Sequence, residues 1–441
     1  MDVELQILKH LAREAQPTVS FIDEYCGGYK DLFPEVRSYE CFKYLHLGII
    51  SEIKRKSLPE IAKVVGLKSA QSLHHFLAVS PWSATELKKR RLSRTLEALK
   101  GNSITVVIDE TGDRKRGKRT DYVARQYLGS IGKIDSGVVS VNAYGIYQNI
   151  TFPLIFKIFK PQGTLKSGDN YQTKIKIASL IITELIDFGF NIDLVLADSL
   201  YGESRSFLRT LDKYKLPWIV AIRSNHGVWM PSEQRVRANK WHQFDRIFSN
   251  QVSQTRYIRE IIFGKRSLKT YWEITTDPET LPENSTSFIM TNLQGNITET
   301  LGNLYGLRTW IEYGFRQCKQ ELGWTDYRFT NFPEIEKWWE IIFCVYLMIS
   351  LNSQALELLN ASRSTNSEIK NPPVDFSTHQ QWNQGIGWKN ALNNLRLIIQ
   401  PTILLWLISP WLDIFPNHYL WLGFHDLIQT MNQFQPYFPD G

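Results

Sequence analysis

The run NSITVVIDET, residues 102–111, limits more than any other stretch how this chain folds. It is short, almost continuously apolar and ends in acids, the pattern of a strand buried on both faces of a central sheet. A second such run, NIDLVLADSLYGE (191–203), also ends at an acid. Between them, YVARQYLG (122–129) and SGVVSVNAYGIY (136–147) are bounded by glycine and read as antiparallel neighbours. YQTKIKIASLIITELIDFGF (171–190) has helical periodicity, and ESRSFLRTLDKYK followed by LPWIVAIRS reads as a helix and a further strand. The order βββαβαβ calls for a mixed sheet with helices on its faces.

That order is the one of a ribonuclease-H-like layer. The expected fold class is therefore mixed α/β, with a ribonuclease-H-like core over 101–223 and 286–358. Residues 224–285 depart from the pattern: RYIREIIF and KTYWEITT, joined by GKRS, read as a hairpin in a β-rich insertion that carries Trp229, Trp241 and Trp272. A helical N-terminal region, 1–100, precedes the core. A polar linker (360–381) and a Trp-rich helical region (382–441) follow it. Within the N-terminal region, 57–77 begins with the box Ser57-x-x-Glu60, turns at Gly66 and resumes at Ser69. Two short helices around a glycine turn predict a helix-turn-helix, with Lys68, Gln71 and His74 on the second helix in reach of a major groove.

Charge supports a polyanionic partner. The chain carries a formal +7, and the segment from Lys88 to Arg119 alone holds eleven Lys/Arg against four Asp/Glu. The four cysteines show no CxxC pair, which excludes a zinc ribbon or a disulfide framework and fits a reducing cytosol. The N-terminus lacks the apolar core of a signal peptide. PTILLWLISPWLDIF, broken by Pro410 and Asp413, is too short to span a bilayer. A cytoplasmic, nucleoid-associated protein with no membrane partner is expected.

Three acids occupy telling places: Asp109 and Asp198 at strand ends, and Glu312 on a late helix. An acid at a strand end often caps a helix, and a helical Glu normally faces solvent. Their joint occurrence points elsewhere, because in this layer the two strands are adjacent. Two close carboxylates repel unless a cation joins them, and a hard divalent ion, Mg²⁺ or Mn²⁺, suits oxygen ligands. With a third carboxylate, two ions per site can serve an in-line phosphoryl displacement. Glu110 is set aside in favour of Asp109 because consecutive strand residues point to opposite faces. Around Glu312, the stretch YGLRTWIEYGFRQCK sets Tyr305, Arg308, Glu312 and Lys319 within an arc of roughly 60° at about 100° per residue.

Here the chain resembles a known family. Tyr305-x2-Arg308-x3-Glu312-x6-Lys319 is similar to the YREK motif of bacterial insertion-sequence transposases with a DDE site. Ala197-Asp198-x2-Tyr201-Gly202 resembles that group's second-aspartate motif. TGDRKRGKRTDYVARQYLGSIGK, after Asp109, resembles one branch: the insertion-sequence four superfamily, seven-hundred-and-one branch. The likeness covers about 100–345. It implies that Asp109, Asp198 and Glu312 bind metal and catalyse, and that Tyr305, Arg308 and Lys319 hold DNA. Arg114, Lys115, Arg116, Lys118 and Arg119 would bring positive charge from a loop beside the metal site. In relatives an aromatic of the insertion takes up a flipped base, a role for which Trp272 is the candidate. The activity so implied is cut-and-paste transposition: binding the terminal inverted repeats, cutting them and joining the 3′-OH ends to target DNA, as a homodimer bridging two double-stranded ends. A catalytically silent DNA-binding repressor and a structure-specific nuclease on the same fold are the alternatives.

Overall fold

The computed structural model describes residues 13–148, 150–230, 232–248, 252–265, 268–362 and 387–433. The linker expected at 360–381 falls almost wholly outside them. The chain divides into two compact units, 99–315 and the combination of 1–98 with 316–441.

The first unit is built on one mixed sheet. Its strands in chain order are β1 (Ile104–Arg114), β2 (Ala124–Leu128), β3 (Lys133–Tyr147), β4 (Ile150–Phe159), β5 (Ile192–Ala197), β6 (Trp218–Ile222), β7 (Val236–Ala238), β8 (His242–Ile247), β9 (Ser253–Phe263), β10 (Thr270–Thr275) and β11 (Ser287–Thr291). Their spatial order is β2-β3-β1-β5-β6-β11-β10-β9-β7, with β4 on β3 and β8 on β9. β1 is antiparallel to β3 but parallel to β5, and β5 is parallel to β6. The parallel steps need crossovers, supplied by the helices Lys174–Phe188 and Arg205–Lys213. Burial follows the sequence pattern: Val106, Val107 and Ile108 of β1, and Val195, Leu196 and Ala197 of β5, are inaccessible to solvent.

Three features differ from expectation. ITFPLIFKIF forms β4, a strand that the order βββαβαβ leaves out. β1 does not stop at Thr111 but runs to Arg114, paired with β3 as far as Arg114↔Gly137. The strands of 236–275 do not stand apart, since β11, β10 and β9 continue the central sheet beyond β6.

The second unit is helical. The expected pair of short helices is present as Leu58–Val64 and Gln71–Ala78, with Gly66 at φ +71° in the turn between them. Only glycine enters that conformation freely. The caps differ from the sequence reading: Ser57 makes no side-chain capping bond, and Ala70 rather than Ser69 holds the N-cap of the second helix. The long helix Phe332–Ser362, read from sequence as part of the catalytic core, packs here against Val36–Ile50 and Gln71–Ala78. Its centre is almost continuously apolar (IIFCVYLMIS), so it is buried all round, as the core of a helical unit requires.

Residues 401–412 are not a short broken run but the second half of a helix, Trp388–Leu412, with Pro401 and Pro410 inside it; the helix stops at Asp413. By length and composition this helix is apolar enough to cross a membrane. Its first half is instead spent on the core, where Trp388, Leu392, Leu395, Ile398 and Ile399 are buried. All four cysteines are free and buried.

One ion pair lies wholly inside this unit. Arg91 is inaccessible and donates from Nε to Glu340 Oε1 at 2.6 Å, with the phenyl ring of Phe343 beneath its guanidinium at 5.1 Å. Removing one partner leaves an uncompensated buried charge, whereas removing both does not. Glu340→Ala is expected to lower unfolding free energy by about 3–5 kcal/mol, and the pair Arg91→Met with Glu340→Met by far less. Urea titration followed by circular dichroism measures both; equal losses would show that packing, not charge, carries the effect.

Candidate active site

Parallel pairing of β1 with β5 matches Ile108 to Ala197, so the next residues on the two strands, Asp109 and Asp198, emerge side by side. Neighbouring strands stand about 4.8 Å apart. Each aspartate uses one oxygen locally. Asp109 Oδ1 accepts the amide of Glu110 at 2.8 Å. Asp198 Oδ1 accepts the amides of Leu200 (2.9 Å) and Tyr201 (3.4 Å), capping the short helix Ser199–Gly202. The capping role that commonly explains such an acid is thus real for Asp198, and it leaves Oδ2 for other work.

The short helix can turn so tightly because of Gly202. A Cβ there would lie 2.0 Å from the carbonyl oxygen of Ala221 on β6, so no side chain fits. Tyr201, next to it, is fully buried and donates its hydroxyl to Glu110 Oε2 at 2.9 Å. Lys174 holds the other oxygen, Glu110 Oε1, at 2.9 Å. Both oxygens of Glu110 are therefore engaged, yet its charge acts on Asp198 and Asp109, so it stands near them and not on a remote face as strand alternation suggested.

The stretch carrying Glu312 is not one uninterrupted α-helix. Tyr305 lies in Leu301–Gly306, Arg308 in the 3-10 turn Leu307–Thr309, Glu312 in Trp310–Arg316 and Lys319 in the π-helical turn Gln317–Glu321. Rotation per residue changes at each junction, so the single arc read from sequence does not survive. What does survive is the i,i+4 contact between Arg308 and Glu312. Gly314 lets this helix press onto the sheet: a Cβ would meet the ring of Tyr144 on β3 at 2.7 Å.

Arg308 is the hinge of the arrangement. Nη1 stands 3.5 Å from Asp109 Oδ2, and Nη2 stands 3.3 Å from Glu312 Oε1. One guanidinium therefore bridges the strand acid and the helix acid. Arg308 is kept cationic by its neighbours Tyr305, Asp109, Glu312 and Asp198, which outweigh its burial. Burial, then the charge of Asp198, push the Asp109 carboxyl up to about 7, with Arg308 acting the other way. Asp198 is raised too, by burial and by Glu110. The site holds more negative charge than one arginine relieves.

Sequence reading missed Arg246 on β8. It donates to Thr309 Oγ1 at 3.2 Å, and its Nε is buried with no partner among the described residues. Tyr305, Arg308 and Glu312 all act on its charge, so it belongs to the same cluster. Asn303 fastens β8 to the same turn, accepting from Ile247 N (3.1 Å) and donating to Asp245 O (3.0 Å). No local pattern marks an arginine sixty residues upstream as part of this group.

Other expected residues fall differently. The cations after Asp109 do not form one loop beside it. Arg114 is five strand residues on, roughly 16 Å at 3.3 Å each, and is paired with Asp135. Lys115 is held by Asp113 at 2.7 Å. Arg116, Lys118 and Arg119 are exposed. Trp272 is only 4% exposed and its indole donates to Thr270, so its ring is core and presents no face for a base. It sits on β10, between β9 and β11. Trp229 is 87% exposed. In the helical unit, Lys68, Gln71 and His74 are all exposed, with His74 lying against the ring of Phe329 at 5.5 Å.

Asp109 and Asp198 suit a hard divalent cation. They offer oxygen donors on adjacent strands and an electrostatic excess that such an ion would neutralise. Glu312 is not drawn in to the same point. Among the described residues no three potential ligands stand close enough to hold one ion, and Arg308 lies between Glu312 and Asp109.

Residues 31–244 match the family described as DDE superfamily endonuclease, and residues 169–348 match the transposase DDE domain. The chain is 54% identical over 325 residues to the probable transposase for insertion sequence element IS701 of Microchaete diplosiphon, spanning 74% of this chain and 86% of that protein.

The raised Asp109 carboxyl has a consequence for stability without metal. The folded chain keeps a proton there up to about pH 7 that the unfolded chain releases near pH 4, so the stabilisation is full below 4 and lost as pH rises through 7. Asp109→Asn removes this burden. In chelator, the variant should be more stable than the parent at pH 8, by up to about 4 kcal/mol, with the gain fading towards pH 5. A gain independent of pH in thermal melts would refute this origin.

Proposed function

The chain belongs to the DDE transposases of the IS701 insertion-sequence type, and from that membership we propose that it binds the terminal inverted repeats of its element, cuts them and joins the freed 3′-OH ends to target DNA. The observation that carries this reading is the Arg308 bridge, which links the helix acid Glu312 to the strand acid Asp109 beside Asp198. Asp109, Asp198 and Glu312 are the residues that would hold Mg²⁺ or Mn²⁺. Two such ions, when bound, supply the charge stabilisation that in-line displacement at phosphorus needs.

The protein's own part is positional. Arg308 neutralises the acids while the site is unloaded, and is freed for a DNA phosphate once their charge is met otherwise. Its planar fork suits both partners. Tyr305, just before it in the chain, and Arg246, reaching in from β8, extend the phosphate-binding surface; Lys319 is assigned to DNA from the motif alone. The exposed Arg116, Lys118 and Arg119 track the backbone farther from the cut. The helix pair Leu58–Val64 and Gln71–Ala78 reads the repeat through Lys68, Gln71 and His74. Two ends have to be processed together, so the working form is a homodimer on two DNA ends.

A cleavage assay on labelled end DNA with Mg²⁺ tests this. Asp109→Ala, Asp198→Ala and Glu312→Ala should each reduce cutting to background while leaving end binding nearly intact. A variant that still cuts at the parental rate removes that residue from the site. Arg308→Ala should weaken DNA binding and reduce the salt slope by about 1. Binding without cutting by the parent would indicate a repressor, and nicking of branched DNA regardless of sequence a nuclease.

A further inference from the structure

The first unit carries a two-stranded ribbon to which the proposed function gives no task. β1 pairs with β3 as far as Gly137, and residues 133–136 of β3 continue with β2 instead. This ribbon folds back over β1, and two glycines make the room. A Cβ at Gly112 would lie 2.5 Å from Leu128 Cδ2, and one at Gly137 would lie 2.9 Å from Leu128 Cδ1. Leu128 is inaccessible, so the inner face of the ribbon is seated on β1. The seat at Gly112 is three residues after Asp109, about 10 Å along the strand. The root of the ribbon is fastened as well. Asp121 holds Lys166 at 2.6 Å, and Lys160 lies over the ring of Tyr122 at 4.8 Å.

Register decides what the outer face presents. Arg125 pairs with Ser136 and Tyr127 with Ile134, and side chains two apart share a face, so these four point away from Leu128. Tyr127 is 58% and Ile134 60% exposed, and Arg125 is exposed beside them. Charge surrounds this apolar pair. From Arg114 to Lys133 the chain holds seven Lys/Arg against Asp121 alone, and Arg116, Lys118, Arg119 and Lys133 are exposed. Two such side chains offer on the order of 200 Å², well short of the roughly 800 Å² that a stable protein interface takes from each partner. An apolar pair among cations matches DNA instead, with thymine methyls inside the groove and phosphates along its rim. The major groove, about 12 Å wide, admits a two-stranded β-ribbon.

We infer that the outer face of this ribbon reads base pairs of the terminal repeat in the major groove, close to the cut. Tyr127 and Ile134 pack on thymine methyls, and Arg125 takes a guanine edge. At about 3.4 Å per base pair, 10–20 Å from Asp109 reaches base pairs about three to six from the cut. The inference rests on the proposed function for the identity of the DNA, and it adds a second reader to the helix pair.

The test is binding of the full chain, in chelator, to three duplexes: the terminal repeat, the repeat with those base pairs exchanged, and a shuffled sequence. The parent is compared with Tyr127→Thr plus Ile134→Thr, which keeps strand preference at two exposed positions. Circular dichroism checks the fold; should this variant not fold, Arg125→Gln takes its place, with a threefold fall in discrimination as the criterion. Exchanging the base pairs should weaken the parent about tenfold and the threonine variant threefold or less. The salt slope of the threonine variant should stay that of the parent, because apolar contacts release no counterions. Equal sensitivity of parent and variant to the exchange, or an equal loss by the variant on shuffled DNA, overturns the inference. So does a variant that sediments differently without DNA yet binds all three duplexes like the parent, which would mark a protein contact. A parent with no preference for the repeat over shuffled DNA sinks the proposed function and the ribbon reading with it. A preference that the variant loses, in a parent that cuts nothing with Mg²⁺, supports the ribbon and sinks the proposed cutting alone.

Discussion

The structure turns on the repulsion between two carboxylates set side by side where β1 and β5 stop pairing. Parallel pairing of β1 with β5 places Asp109 beside Asp198, and burial denies them the water that would screen them. The fold meets that cost with an arginine held on a helical turn above the sheet. Glycines at 202 and 314 let the turn after Asp198 and the helix of Glu312 come close enough. The motif spacings are therefore packing requirements as much as chemical ones.

Arg308 ties the strand acid to the helix acid. Its fork lies between Asp109 and Glu312 and offsets part of their charge. Arg246, whose Nε is buried with no partner among the described residues, stands beside the same turn and repels Arg308.

The long sheet has a similar logic. Strands β9, β10 and β11 extend the central sheet past β6. β8 leans from this extension onto the turn that bears Tyr305 and Arg308, and Asn303 fixes the contact. Residues 236–275 thus reach the active site by continuing the layer. Trp272 shows what that costs a local reading. An alternating strand was recognisable, but only pairing on both sides decides that this tryptophan is inside.

By itself the sequence determined what depends on near neighbours. The apolar runs of β1 and β5 marked buried strands, and Asp198 was legible as a strand-end carboxylate, whereas Asp109, read the same way, lies within β1. Gly66 marked the turn between two short helices, and Arg308 and Glu312 were readable as an i,i+4 pair. Tertiary structure alone decided what depends on distant partners. It decided that β1 runs on to Arg114 because β3 pairs with it there, and that β4 joins the sheet. It also decided that Arg246 enters the site from sixty residues upstream, and that Glu312 reaches Asp109 through a guanidinium. The physical reason is range: periodicity and capping report forces within a turn or two of the chain. Register, burial on both faces and charge compensation are settled by groups the chain brings together only on folding.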